Sequence, residues 1–293
     1  RDALMLVRDA PPTRVARTLE RGTSDYPPGL SSLSDPPARL HVWGGVLPPL
    51  DATVAIVGAR AATPYGLAIA ARLARDLAAR GVVVVSGLAL GIDAAAHGGA
   101  LAAGGRTVAV VASAFDCITP ESHRPLAERI AGAGAVVTEI AAGGPFGRGA
   151  FVKRNRIVAA LAAATVVVEA SERSGALSTA GVARSLGRVL FAVPGDVDRP
   201  GSRGTLALLR AGARPCADAG DVLVALRPAM ADTNDPDARL RARLDERPVS
   251  VESLAVATGL VPAEVLARLL DLEWSGLAVR HAGGRWSARS CGA

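Results

Sequence analysis

The residues best equipped for chemistry are cations set beside small, flexible loops. Residues 151–156 read FVKRNR, so Lys153, Arg154 and Arg156 crowd behind the ring of Phe151, with Asn155 among them. Three cations and one stacking ring suit the backbone of a single-stranded nucleic acid with a base against Phe151. The plainer reading is a solvated first helical turn, but cations there oppose the helix dipole and require an anion to offset them. A second cation, Arg60, stands in residues 58–66, GARAATPYG, which open on Gly58. It occupies the place where a dinucleotide-binding loop carries its second glycine. Its guanidinium fills that close-approach space and offers a two-pronged phosphate fork instead. Residues 86–93, SGLALGID, add a hydroxyl at Ser86 and backbone donors at Gly87 and Gly91. Residues 174–179, SGALST, repeat the theme, with Ser174 and Gly175 opening a helix.

The acids near these loops suit structural roles. Asp93 reads as a helix cap, and His97, four residues on, as a packed side chain. Glu139 and Glu169 end strands at the same edge, and neither has an evident nucleophile or metal partner beside it. No acidic ribose ligand follows the second strand, where Val85 leads into Ser86 and Gly87, so NAD is disfavoured. No GxxxxGK[ST] loop is present, so ATP binding through a P-loop is unsupported. Cys117, Cys216 and Cys291 are odd in number and widely spaced, which argues against a disulfide framework or a zinc site and fits a reducing cytoplasm. The expectation is a binding protein with no cofactor, no metal and no catalytic residue.

Strands and helices must bring these loops together. Residues 54–57 form a short apolar run, residues 67–77 carry helical periodicity, and residues 82–85 are four consecutive valines suited to a parallel strand covered on both faces. Two strands that each end in a glycine-bearing turn opening a helix place both turns at the carboxyl edge of one sheet, where helix N-termini favour anions. The alternation continues with strands at 106–112, 135–140, 165–170 and 189–193, and helices at 125–131, 155–163, 176–186 and 205–211. The class is α/β: an extended Rossmann-like, doubly wound, mostly parallel sheet.

Residues 1–40 read as a proline-rich lead-in. Residues 1–20 suit a helix interrupted by Pro11 and Pro12, and a short edge strand falls near residues 40–43. The Rossmann-like domain spans 41–227, a turn-rich linker 228–238, and a winged-helix-like domain of three helices and a glycine-turned hairpin 239–290. The position of a recognition helix, residues 262–272, bears Glu264 and Asp271, with Glu273 just beyond, against one Arg268. Acids on a groove-entering helix repel phosphate, so a protein contact suits it better than duplex reading.

The 293 residues carry a net charge of +6 and a pI near 10.1, and Lys153 is the sole lysine. An anionic partner, most simply nucleic acid, fits that balance. Nine aromatic residues are too few for an aromatic-rich OB-type surface. No apolar run approaches ~18 residues, so no membrane span is expected. The chain opens on Arg1 with no charged-then-apolar signal segment, as a trimmed sequence would.

The ordered series VAIVGAR (54–60), YG (65–66), SGLALGIDAAAHGGAL (86–101), FVKRNRIVA (151–159), VVEASERSGALSTA (167–180) and FAVPGDVDRPGSRGTLALLRAGA (191–213) resembles the DNA-processing protein A family, DprA or Smf. The resemblance covers about residues 26–216. It implies an extended Rossmann domain, often with an N-terminal helical domain and a C-terminal winged helix. It implies single-stranded DNA binding, RecA loading during natural transformation, a homodimer and no established catalysis. Carried across, Arg60, the Ser86–Gly87 turn and Lys153, Arg154, Asn155 and Arg156 line the DNA path, and Ser174 and Gly175 complete a phosphate pocket. The chain departs from the family pattern at residues 116–125, DCITPESHRP, and at Val152, where a proline is usual. The alternative is a nucleotide phosphoribohydrolase resembling the Lonely Guy family on a related fold, although SERSGALST stands near where that group's PGGxGT-type loop belongs.

Overall fold

The computed structural model describes residues 16–144, 147–226, 236–244, 248–275 and 277–288. The chain divides into two compact units, one ending at Leu226 and the other beginning at Arg227. In order, the first unit contains β1 (Arg17–Glu20), α1 (Pro28–Ser31), β2 (Arg39–Gly44), β3 (Thr53–Val57), α2 (Pro64–Ala78), β4 (Val83–Ser86), α3 (Ile92–Ala102) and β5 (Thr107–Val110). It continues with α4 (Arg124–Ala133), β6 (Ala135–Thr138), α5 (Arg148–Ala160), β7 (Ala164–Val167), α6 (Ala176–Ser185), β8 (Val189–Ala192), α7 (Arg203–Arg210), β9 (Arg214–Pro215) and α8 (Ala219–Leu226).

Nine strands form one sheet in the order β1-β2-β6-β5-β4-β3-β7-β8-β9. From β6 to β9 every pairing is parallel, whereas β2 runs antiparallel to both β1 and β6. The central strands are short β-branched runs because both of their faces are covered. Ala55, Val57, Val83, Val85, Val108, Val110 and Val137 point to one face, under Ile157 and Val158 of α5 and Ala180 of α6. The intervening Ala109 and Val136 point to the other, under Ala127 and Ile130 of α4. This two-residue alternation fixes which loops emerge at the carboxyl edge.

Two expectations at the chain's start are corrected. Residues 17–20 are a strand, not the end of a helix, while residues 1–15 lie outside the described residues. The strand expected near residues 40–43 is not an edge, because β1 pairs with its outer side. Tyr26, Leu30 and Leu33 of the proline-rich stretch are buried in the sheet's core. Beyond residue 211, where the sequence pattern assigns no element, the domain adds β9 and α8.

The second unit comprises α9 (Pro236–Arg243), β10 (Val249–Ser250), α10 (Val251–Thr258), α11 (Pro262–Trp274), β11 (Ala278–His281) and β12 (Arg285–Ala288). Leu240, Leu254, Val265, Leu269, Leu272 and Trp286 form its core. Its three strands run β10-β12-β11, so the expected hairpin gains a short third strand. Of the expected linker, residues 228–235 lie outside the described residues and Pro236 already begins α9.

Ile157 is fully buried between α5 and the sheet. Ile157→Ala is expected to cost the first unit about 2–5 kcal/mol, the usual penalty for a cavity in a tightly packed core, and urea denaturation measures it.

Candidate nucleic-acid interface

The strand order reverses at β3: β4, β5 and β6 follow on one side, β7 and β8 on the other. In an open α/β sheet, a crevice forms at that reversal beyond the carboxyl ends of the strands. A cavity of about 460 Å³ lies there. Gly58, Arg60, Phe151, Arg154, Asn155, Ser174 and Gly175 all line it, so three separate loops predicted from sequence meet at one place. Ser171 and Thr179, which the sequence reading passed over, line it too. Thr179 lies one helical turn beyond Gly175, a signal that the motif itself carries.

Arg60 is exposed, and its guanidinium lies 4.9 Å from the centre of the Phe151 ring. Phe151 therefore already has a cation over its ring. Asn155 donates to the carbonyl of Gly175 at 3.1 Å and to the hydroxyl of Ser178 at 2.8 Å, tying α5 to the start of α6. The N-terminus of α6 thus opens onto the crevice with its dipole positive.

Arg154 forms the floor of the crevice. It is 5% exposed and donates from Nη1 to the carbonyl of Val110 at 2.9 Å, and its Nε has no partner among the described residues. Burial pulls its pKa below the ordinary value while the charge of Asp93 opposes that pull, and an arginine stays protonated. Asp93 is buried beside it and its carboxyl is pushed up by desolvation, against the pull of Arg154 and of backbone donors. It accepts from the N–H of Gly87 at 3.1 Å and of Ala89 at 3.3 Å. This corrects two expectations: Asp93 braces the loop before α3 rather than capping the helix, and the Gly87 amide is spent on it. Ser86 is likewise spent, since it is fully buried and its hydroxyl donates to the carbonyl of Ile56 at 2.6 Å.

Two glycines make these approaches possible. A Cβ on Gly87 would lie 1.6 Å from Nη1 of Arg154. A Cβ on Gly91, which has φ of +77°, would fall 2.3 Å from the carbonyl oxygen of Ala59. Gly91 therefore acts as a seam between the two glycine loops.

The basic hexapeptide is divided. α5 begins at Arg148, so residues 151–156 run from the end of its first turn through its second rather than opening the helix. Phe151, Arg154 and Asn155 face the crevice, whereas Lys153 and Arg156 do not line it. Arg156 pairs with Glu139 at 2.7 Å and Asp35 at 3.5 Å, and Lys153 lies 3.8 Å from Glu139 and 4.0 Å from Asp35. The expected unbroken cationic cluster is corrected to one buried floor charge and a separate ion-pair network. Glu169 accepts from the N–H of Thr63 at 2.9 Å and from its hydroxyl, which anchors the start of α2.

His97 is fully buried beneath the site. The Thr107 hydroxyl donates to the carbonyl of Val84, so the contact between Thr107 and Nδ1 of His97 at 2.7 Å must be donated by the ring. Nε2 is left as a bare acceptor, the neutral tautomer, and burial pushes the pKa down to about 3.

A doubly wound α/β protein with a cation-floored, anion-receiving crevice at its topological reversal is the class that fold and site define. A family model described as DNA recombination-mediator protein A matches residues 17–227, and one described as DprA winged helix domain matches residues 224–284. A putative DNA processing protein DprA of Mycobacterium tuberculosis is 46% identical over 254 residues, covering 82% of this chain and 65% of the relative. Protein Smf of Escherichia coli K12 is 34% identical over 276 residues, 88% of this chain and 74% of that protein. DNA processing protein A from Streptococcus pneumoniae superposes with a TM-score of 0.67 at 33% identity, covering 72% of this chain and 75% of that one. A Helicobacter pylori DNA processing protein A, described by its unique single-stranded DNA binding mode, gives 0.65 at 32% identity, over 73% and 96%. The chain belongs to the DNA processing protein A family. It spans 65% of the length of its Mycobacterium tuberculosis relative.

Two outcomes test the buried network. Gly87→Ala should displace the Arg154 guanidinium and lower the melting temperature, an effect calorimetry measures, whereas Gly98→Ala, where a Cβ meets nothing within 4 Å, should not. The folded pKa of His97 is depressed to about 3 from 6.5, so its contribution is whole above pH 6.5 and is lost as pH falls toward 3. The loss amounts to about 5 kcal/mol over that window, and urea titrations at several pH values should show a flatter slope in His97→Gln.

Proposed function

We propose that this protein binds single-stranded DNA at the crevice, without base-specific readout and without catalysis. The observation that carries this reading is the stack of Arg60 on Phe151 above the buried charge of Arg154. Arg60 takes one phosphate, while Arg154 and the N-terminus of α6 favour another. A base stacks on the open surface of the guanidinium–ring pair. Membership of a family that includes a described single-stranded DNA binder supports the same partner.

The alternative, a nucleotide phosphoribohydrolase, needs a carboxylate free to face a bound nucleotide. Asp93, Glu139 and Glu169 are each engaged by loop amides, by cations or by Thr63, and the match to the family model covers residues 17–227, which include the entire nine-stranded sheet. Among the described residues, no three His, Cys, Asp or Glu side chains are grouped as a metal site would need, and no single helix is long and apolar enough to cross a membrane.

The fuller role follows the family resemblance. The protein acts as a homodimer in the cytoplasm, shields incoming single strands and loads the RecA recombinase during natural transformation. Free thiols at Cys117 and Cys216 suit a reducing compartment.

Oligo-dT titrations over a range of salt concentrations test the binding reading. Arg60→Ala should weaken affinity about tenfold at moderate salt and reduce the salt slope by about one. Phe151→Ala should weaken it by about 1–3 kcal/mol. Lys153→Ala, in the carboxylate network, should change affinity by less than about threefold, the scale of an exposed ion pair. Unchanged binding by Arg60→Ala, or release of free base from a nucleoside monophosphate, overturns the reading.

A further inference from the structure

α11 is apolar on two sides. Val265, Leu269 and Leu272 enter the core of the second unit. With about 3.6 residues per turn, Ala263, Leu266, Ala267, Leu270 and Trp274 share a sector about 100° wide on the outer side. All five are exposed, Trp274 at 95%. A surface helix normally turns polar residues outward, and a helix apolar all round is a covered one. The charges lie along the borders of this sector, Glu273 on one flank and Asp271 with Glu264 on the other. Arg268, the sole cation of the helix, is held by Asp237 at 2.7 Å and Glu264 at 2.9 Å and leaves Asp271 and Glu273 uncompensated by their own helix. Alanines four residues apart, between larger Leu266, Leu270 and Trp274, give the ridges and grooves that a second helix packs into.

We propose that this face docks a basic amphipathic helix of a partner protein. The apolar stripe of that helix lies on Leu266, Leu270 and Trp274, and its Lys or Arg side chains lie against Glu273 and Asp271. Charge selects the occupant. A second copy of α11 would set the same acids against each other, and the phosphates of duplex DNA would meet them directly.

The test uses the whole chain and a synthetic helical Leu/Lys peptide of about 18 residues, long enough to hold a helix, with its Leu/Glu counterpart as control. Tryptophan emission reads the face, because Trp274 is exposed, Trp286 is fully buried and Trp43 is half-buried against the core of the first unit, so the Trp274→Phe variant isolates the signal. A saturable blue shift is expected with the Leu/Lys peptide alone, absent in Trp274→Phe and weaker as salt rises. Leu270→Lys and Ala267→Lys, both at exposed positions and both checked for folding by circular dichroism, should weaken binding by at least about tenfold, or 1.4 kcal/mol. Equal binding by both folded variants overturns the proposal. So does self-association abolished by Leu270→Lys, or a blue shift produced by duplex DNA or phosphatidylcholine vesicles and not by the peptide.

Discussion

A single buried guanidinium sets the terms for the first unit. Arg154 crosses from α5 to the carbonyl of Val110 at the end of β5, and Asp93 sits beside it with two loop amides in hand. An unpaired charge at that depth would be costly, so the neighbouring carboxylate and carbonyl must be in place whenever the chain is folded. That requirement ties α5 to the ends of β4 and β5 before any ligand arrives. It also dictates glycine at residue 87, because the space a side chain would occupy is already filled.

The carboxyl edge is preorganised as a result. Asn155 fixes the distance between α5 and α6, Glu169 fixes the start of α2, and Gly91 lets the loops after β3 and β4 touch. Arg60 is left as an exposed cation stacked on Phe151 above this braced base. Most of the network's polar groups are satisfied internally, so the ligand-facing chemistry rests on few atoms: one fork, one ring, one helix end and one charge from below.

Much of this was legible in the sequence because it depends on local rules. Valine runs bounded by glycine loops marked the parallel strands, and their common direction placed the loops at one edge. The division of the basic hexapeptide was hidden by one misjudged boundary. With α5 starting at Arg148, residues 151, 154 and 155 fall on one side and 153 and 156 on another, and the same 3.6-residue period would have separated them. The partners Asp35 and Glu139 are remote in sequence, so no local pattern could supply them. The strand RTLE carries a single buried leucine, too little for periodicity to register, and only its pairing with β2 defines it.

Lys153 has a practical meaning beyond its ion pairs. It is the sole lysine of the sequence, half exposed and held outside the crevice. Within this sequence it offers the one side-chain primary amine that an acylating dye or cross-linker can modify. A label introduced there would attach at a defined spot on α5, close enough to sense occupancy without occupying the crevice. An arginine-dominated surface, resistant to such reagents, would leave the rest of the molecule unmarked.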